Sequence, residues 1–206
     1  MDLTIIFSIA VLIMSVVIHE VSHGAVAGLL GDPTARLAGR LTLNPLKHLD
    51  PIGSVIVPAI MALLPGGLVF GWAKPVPYNP YNLRLAQWGP ALVAAAGPAA
   101  NLILALFFGL ALRFAGPAGL LSSGTAEFIV MIVFINLVLL IFNLIPVPPL
   151  DGSKILFAAL PYRFRFIEEQ FTRYSLILVL IIIFAASGLI YPVTAFLFKL
   201  ITGFGL

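Results

Sequence analysis

The sequence predicts an all-α polytopic membrane protein, on three observations. The chain is 61% apolar and 9% charged, with a mean hydropathy of +1.14. A soluble domain is nearer half apolar and a quarter charged, so this chain lacks the polar surface to face water on all sides. Apolar runs recur at about residues 3–30, 52–71, 88–112, 126–145 and 174–198, most of them near the roughly 20 residues that cross a bilayer. The basic residues fall between particular runs, as they do in membrane proteins of fixed orientation. Eleven Lys and Arg against eight Asp and Glu leave a net charge of +3; the basic residues mainly set orientation, and no nucleic-acid partner is expected. There is no Cys, so there is no disulfide, and any metal must use His, Asp or Glu. No linker or repeat divides residues 1–206, which are read as one domain.

The first run has no basic segment before it, and His-Glu-Val-Ser-His follows directly. It is therefore read as a permanent span rather than a cleaved leader. Residues 35–43 partly alternate apolar and polar side chains, predicting a short β-like strand or hairpin. Its edge could take up an unwound substrate by strand addition; the plainer alternative is a loop. The second run is interrupted by Pro58 and closed by Pro65-Gly66-Gly67, which predicts a re-entrant segment near 52–71. The third and fourth runs are full spans. The fifth spans from 174 to about 190, and Gly188 and Pro192 make its tail a bent or interfacial piece. Arg36, Arg40, Lys47, Lys74 and Arg84 lie between the first and third runs, and Lys154, Arg163, Arg165 and Arg173 between the fourth and fifth. Both clusters are cytoplasmic by the positive-inside rule. The expectation is four full spans, an outside N-terminus and a second run that enters and leaves the same face.

Residues 19–23 read His-Glu-Val-Ser-His. Positions i and i+4 share a helix face, so His19 and His23 can reach one ion, with Glu20 beside them to hold a water. This is the HExxH pattern, two imidazole ligands and a carboxylate base. Zinc lowers the pKa of its water toward about 7, and Glu20 would take the proton. Five residues are a moderate signal, and the alternative is a pair of interface histidines. Three ionisable groups at the end of an apolar span are costly, which favours function. Ser22 and Gly24 are read as close-packing residues.

A catalytic zinc usually has a third protein ligand and an open position. Asp151 follows the fourth span, which ends on the same side as the first. Pro146, Pro148 and Pro149 forbid a regular helix there and would hold Asp151 at a fixed angle. The alternative is that Asp151 only caps the helix after it. His48 is the rival ligand, or otherwise a group that supports a ligand or faces substrate.

Together these residues resemble the site-2 protease family of intramembrane metalloproteases. The resemblance is carried by HEVSHG at 19–24, GWAKPVPYNPYNL at 71–83, AAGPAAN at 95–101 and NLIPVPPLDG at 143–152. It is closest to the short prokaryotic form, without a PDZ or CBS domain. It implies that His19, His23 and Asp151 bind one Zn2+ per chain and that Glu20 is the base. Asn143 looks like a residue that steadies substrate or transition state. Asn101 is either a further substrate-side residue or an interhelical hydrogen bonder. Trp72, Tyr78, Tyr81 and Trp88 suit a hinge or membrane-boundary anchor.

The function expected is an intramembrane zinc endopeptidase of the cell membrane. It would act in regulated intramembrane proteolysis on transmembrane protein or peptide substrates, with its site toward the cytoplasm. A zinc transporter would show repeated halves or a polar path through both leaflets, and neither is seen. Nothing indicates a homo-oligomer, and nothing excludes one.

Overall fold

The computed structural model describes residues 3–57, 60, 72–161 and 165–206. The helices are α1 (Leu3–Leu29), α2 (Thr34–Leu37), α3 (Gly89–Ala115), α4 (Ser123–Asn143), α5 (Asp151–Ala159), α6 (Arg165–Arg173) and α7 (Ser175–Thr202). Between α2 and α3 lie 3-10 turns at Pro45–Lys47 and Pro80–Asn82 and a π-helical turn at Pro51–Ile56. Local chemistry sets the ends. Gly31 takes a φ of 107° that side chains disfavour, and the amides of Gly31 and Asp32 close back on the carbonyls of Gly28 and Ala27, a Schellman-type stop to α1. Ser122 caps α4 by accepting from the Thr125 amide at 3.2 Å.

α3 is the central helix, packing on α1, α4, α5 and α7. The first turns of α1 and α4 meet, with the rings of Phe7 and Phe128 4.2 Å apart, so those two helices are parallel. Arg113 near the end of α3 donates to the carbonyl of Leu200 at 3.0 Å, which sets the ends of α3 and α7 side by side. His23 meets Val93 while His19 meets Asn101, so α3 runs against α1. In lipid there is no hydrophobic drive between helices, and close packing must hold them. Leu112 of α3, Leu137 of α4 and Phe198 of α7 form one buried cluster, and Gly109 lets Ile201 approach so closely that a Cβ would lie 2.5 Å from its Cγ2.

One expectation is corrected. No strand forms among the described residues. Asp32 accepts from the Thr34 amide and hydroxyl, Pro33 pre-sets the first turn, and residues 34–37 close into a helical turn ended by Gly39 at φ 64°. Among the described residues three helices, α1, α3 and α4, are long and apolar enough to span. The fourth expected span falls in α7, of which Gly188–Thr202 is the apolar stretch described throughout. Pro192 does not end α7, and one face of its tail is packed on the bundle: Thr194, Phe198, Ile201 and Thr202 are all buried. Most of the expected re-entrant segment lies outside the described residues. Its two flanks meet, the Trp72 amide donating to the Gly53 carbonyl at 3.1 Å and the Ser54 hydroxyl to the Trp72 carbonyl at 2.8 Å.

Candidate metal centre

α1 sets His19 and His23 one turn apart on the face toward α3, their rings edge-to-face with centroids 4.6 Å apart. Each ring commits Nδ1 to the protein. His23 Nδ1 lies 2.7 Å from the Val93 carbonyl. A carbonyl only accepts, so Nδ1 carries the proton and Nε2 is left with a lone pair. His19 Nδ1 lies 2.6 Å from Asn101 Oδ1, with the same consequence.

Both Nε2 atoms face Asp151 Oδ2, at 3.1 Å from His19 and 3.2 Å from His23. A tetrahedral ion with bonds of about 2.0–2.1 Å holds neighbouring donors roughly 3.3 Å apart, so this spacing fits an ion at the centre. His19 is 6% exposed, His23 9% and Asp151 6%, so the donor set is nearly dry. Among the described residues this is the one group of three His, Asp or Glu side chains close enough to share an ion.

Two glycines make this convergence possible. A Cβ on Gly97 would lie 2.5 Å from His19 Nε2 and 2.6 Å from His23 Cε1, so α3 must present bare backbone to the ligands. A Cβ on Gly152 would run into the Leu144 carbonyl, so the proline turn can fold back onto the start of α5 only with glycine there. Asp151 opens α5 from that turn, and Lys154 Nζ stands 3.8 Å from its other oxygen.

Glu20 points into the same cleft, and its Oε2 accepts from the Val76 amide at 2.8 Å. Val76 belongs to residues 72–79, which carry no helix or strand. Arg40 Nη2 holds the Lys74 carbonyl at 2.7 Å, the Lys74 amide donates to the His48 carbonyl at 2.8 Å, and the Asn79 amide donates to Asp32 Oδ2 at 2.6 Å. The cleft has a volume of about 370 Å³ and is lined by the metal-site residues, Pro75–Tyr78, Asn143 and Lys154. Polar and apolar groups line it alike, and its size suits a short stretch of peptide.

The model of peptidase family M50 matches residues 114–186, the stretch that holds Asn143 and Asp151 but not the histidines. Over 187 residues the chain is 40% identical to "Putative zinc metalloprotease YwhC" of Bacillus subtilis (strain 168), covering 88% of this chain and 82% of that protein. The chain belongs to peptidase family M50, the site-2 protease family. Two further M50 relatives carry the name "Putative zinc metalloprotease Rip2". The one from Mycolicibacterium smegmatis is 38% identical over 149 residues, 71% of this chain and 54% of it. The one from Mycobacterium tuberculosis is 32% identical over 142 residues, 68% of this chain and 52% of it. No solved structure matches the chain.

For this M50 chain, the structure brings His19, Glu20, His23, Asp151 and Asn143 to one cleft. Asn143 is half-buried there, with Nδ2 on the Leu139 carbonyl at 2.9 Å. Asn101 and His48 are elsewhere. Asn101 is fully buried behind His19, with both amide atoms engaged, so it faces no substrate. His48 is 2% exposed and its Nε2 lies 2.9 Å from the Thr42 carbonyl. It is neither in the donor group nor on the cleft; its loop carbonyl holds Lys74 instead. Sequence reasoning missed the Val93 carbonyl, Gly97, the Val76 amide, Asn136 and Lys154. Gly97 and Val76 stood inside motifs already noticed, and the others carried no local signal.

Proposed function

We propose that this chain is an intramembrane zinc metalloprotease that hydrolyses peptide bonds within or near transmembrane segments of membrane proteins. The observation that carries the reading is the convergence of His19 Nε2, His23 Nε2 and Asp151 Oδ2 beside the Glu20 carboxylate, inside an apolar bundle. His19 stands ten residues before the end of α1 at Leu29, about 15 Å along the helix axis, or roughly half of a 30 Å hydrocarbon core. Two imidazoles and a carboxylate are a zinc donor set, and relatives bear zinc metalloprotease names.

Zinc held by these three residues would supply Lewis-acid chemistry at the head of the cleft. The chain's own groups do the rest. The Val76 amide fixes one Glu20 oxygen and leaves the other for water. Glu20 takes the proton as the water oxygen bonds to the scissile carbon, then delivers it to the leaving nitrogen as the C–N bond breaks. Asn143, with one N–H on Leu139, turns its remaining polar atoms to the substrate and steadies the developing oxyanion. The scissile helix must be unwound to enter, and the wall formed by Pro75–Tyr78 is the surface it meets.

The site end of the bundle faces the cytoplasm in a multi-pass cell-membrane protein, by the positive-inside rule. Arg40, Lys74 and Lys154 flank the cleft end, while Arg113 binds α7 at the opposite end. α7, antiparallel to α4, makes a fourth crossing. The meeting of Gly53 and Ser54 with Trp72 supports an arrangement in which the second apolar run begins and ends on one side.

The test is zinc content with cleavage of a transmembrane peptide in liposomes. Glu20→Gln should keep one zinc per chain and lose about 10²–10⁴ in rate. Asp151→Ala should lose zinc. Strong cleavage by pure Glu20→Gln would refute the base, and unchanged zinc in Asp151→Ala would overturn the ligand set.

A further inference from the structure

We infer that Asn136 is a positioning residue for the metal site, and that the Ile132 carbonyl is the fixed point from which it acts. A line of buried amides joins α4 to His19. Asn136 Nδ2 donates to the Ile132 carbonyl at 2.9 Å and to Ser15 Oγ at 3.0 Å. Asn136 Oδ1 accepts from Asn101 Nδ2 at 2.9 Å, and Asn101 Oδ1 meets His19 Nδ1 at 2.6 Å. Both asparagines are 0% exposed and Ser15 is 4% exposed, so no water can stand in for a lost partner.

The two ends of a carboxamide are nearly the same shape, so either amide could in principle be turned over; the partners decide which end goes where. Here the decision starts at a backbone atom. A carbonyl only accepts, so the NH2 of Asn136 must face Ile132, and its oxygen must face Asn101. Asn101 must then turn its NH2 to Asn136 and its oxygen to His19. His19 must donate from Nδ1, which leaves the Nε2 lone pair on the side of the ion. A reversed Asn101 would put NH2 against Nδ1, move the ring proton to Nε2 and remove that ligand. His23 needs no such line, because the Val93 carbonyl fixes it directly. A buried amide with a missing partner costs more than the bond itself, so Asn101 is fixed only while Asn136 is.

This inference rests on the zinc reading above, and the experiment separates the two. Zinc affinity is measured by competition with a chromogenic chelator on the purified full-length chain, and the histidine tautomers by 15N NMR of the zinc-free protein, which has three His. Asn136→Leu should weaken zinc binding by about 10- to 100-fold, the usual range for loss of an outer-shell partner. Asn136→Asp should recover most of it, since a buried neutral carboxyl offers one donor to Ile132 and one acceptor to Asn101. His19 Nδ1 should carry a proton in wild type and Asn136→Asp and lose it in part of the Asn136→Leu population, while His23 Nδ1 keeps its own throughout. Wild-type zinc affinity in Asn136→Leu would overturn the inference, as would a wild type whose His19 Nδ1 lacks a proton. If Asn136→Leu does not fold, the wild-type and Asn136→Asp spectra decide it. A wild type that binds no zinc would sink the protease reading instead, with the tautomer still reporting on Asn136.

Discussion

At the scale of residues, the site depends on atoms being kept away as much as on atoms being supplied. Gly97 faces both imidazoles, and a Cβ there would stand 2.5 Å from His19 Nε2. Gly97→Ala should therefore leave helix content unchanged but weaken zinc binding at least about fivefold, from an overpacking cost of about 1–3 kcal/mol; chelator competition checks it. The Val76 amide holds Glu20 and nothing else in the site. Val76→Pro, which removes that donor, should keep zinc and slow turnover roughly 10-fold or more, since a hydrogen bond to a charged group contributes about 1.5–3 kcal/mol; parallel zinc analysis and cleavage rates check it. His19 and His23 were legible in the sequence because i, i+4 spacing puts them on one helix face, with Glu20 beside them. Asp151 was legible from chain direction, though its alternative as a cap remained open. An interhelical hydrogen bond was one of the two readings of Asn101; that its partner is His19 was not legible, because it depends on how far α3 is rotated about its own axis, which no spacing along one helix reveals.

At the scale of elements, residues 72–79 act as one wall of the cleft because loops on both sides fasten them. Asp32, just past α1, is the main fastening: it accepts from the Asn79 amide, the Asn82 side chain and Thr34. Burial would raise its pKa, but these hydrogen bonds lower it below the ordinary carboxylate value. The sign follows from that direction. Asp32 contributes its full stabilisation above the unfolded value of about 3.9, and the contribution is lost as pH falls through the lower folded value. Asp32→Asn should reduce thermal stability in detergent at neutral pH and flatten the acid limb, with the two proteins converging in strong acid; melting curves against pH check this. The misread strand at 35–43 belongs to this scale. Alternation was present, but Pro33 and the Asp32–Thr34 contacts favour a helical turn, and Arg40 is drawn inward to the Lys74 carbonyl. Local capping won over a weak period-2 pattern that had no second strand to pair with.

At the scale of the whole molecule, α1 and α4 run one way and α3 and α7 the other, which brings every metal-site residue to one end of the bundle. The helical runs and their alternating direction were legible from hydropathy and basic residues. The packing of the α7 tail was not, because Gly188 and Pro192 signal a break only when no neighbour supports the helix, and α3 and α4 do support it. The chain has no Cys, so single cysteines report topology cleanly. Arg36→Cys should react with an impermeant maleimide only from the cytoplasmic face and Leu120→Cys only from the outer face; labelling of both from one face would contradict the bundle's orientation. The central claim is tested most directly by mass spectrometry of peptides released from transmembrane helices in liposomes by zinc-loaded wild type and Glu20→Gln. Cuts inside the apolar segments by wild type alone are the predicted result. Equal cutting by both proteins, or cuts confined to the soluble flanks, would contradict it.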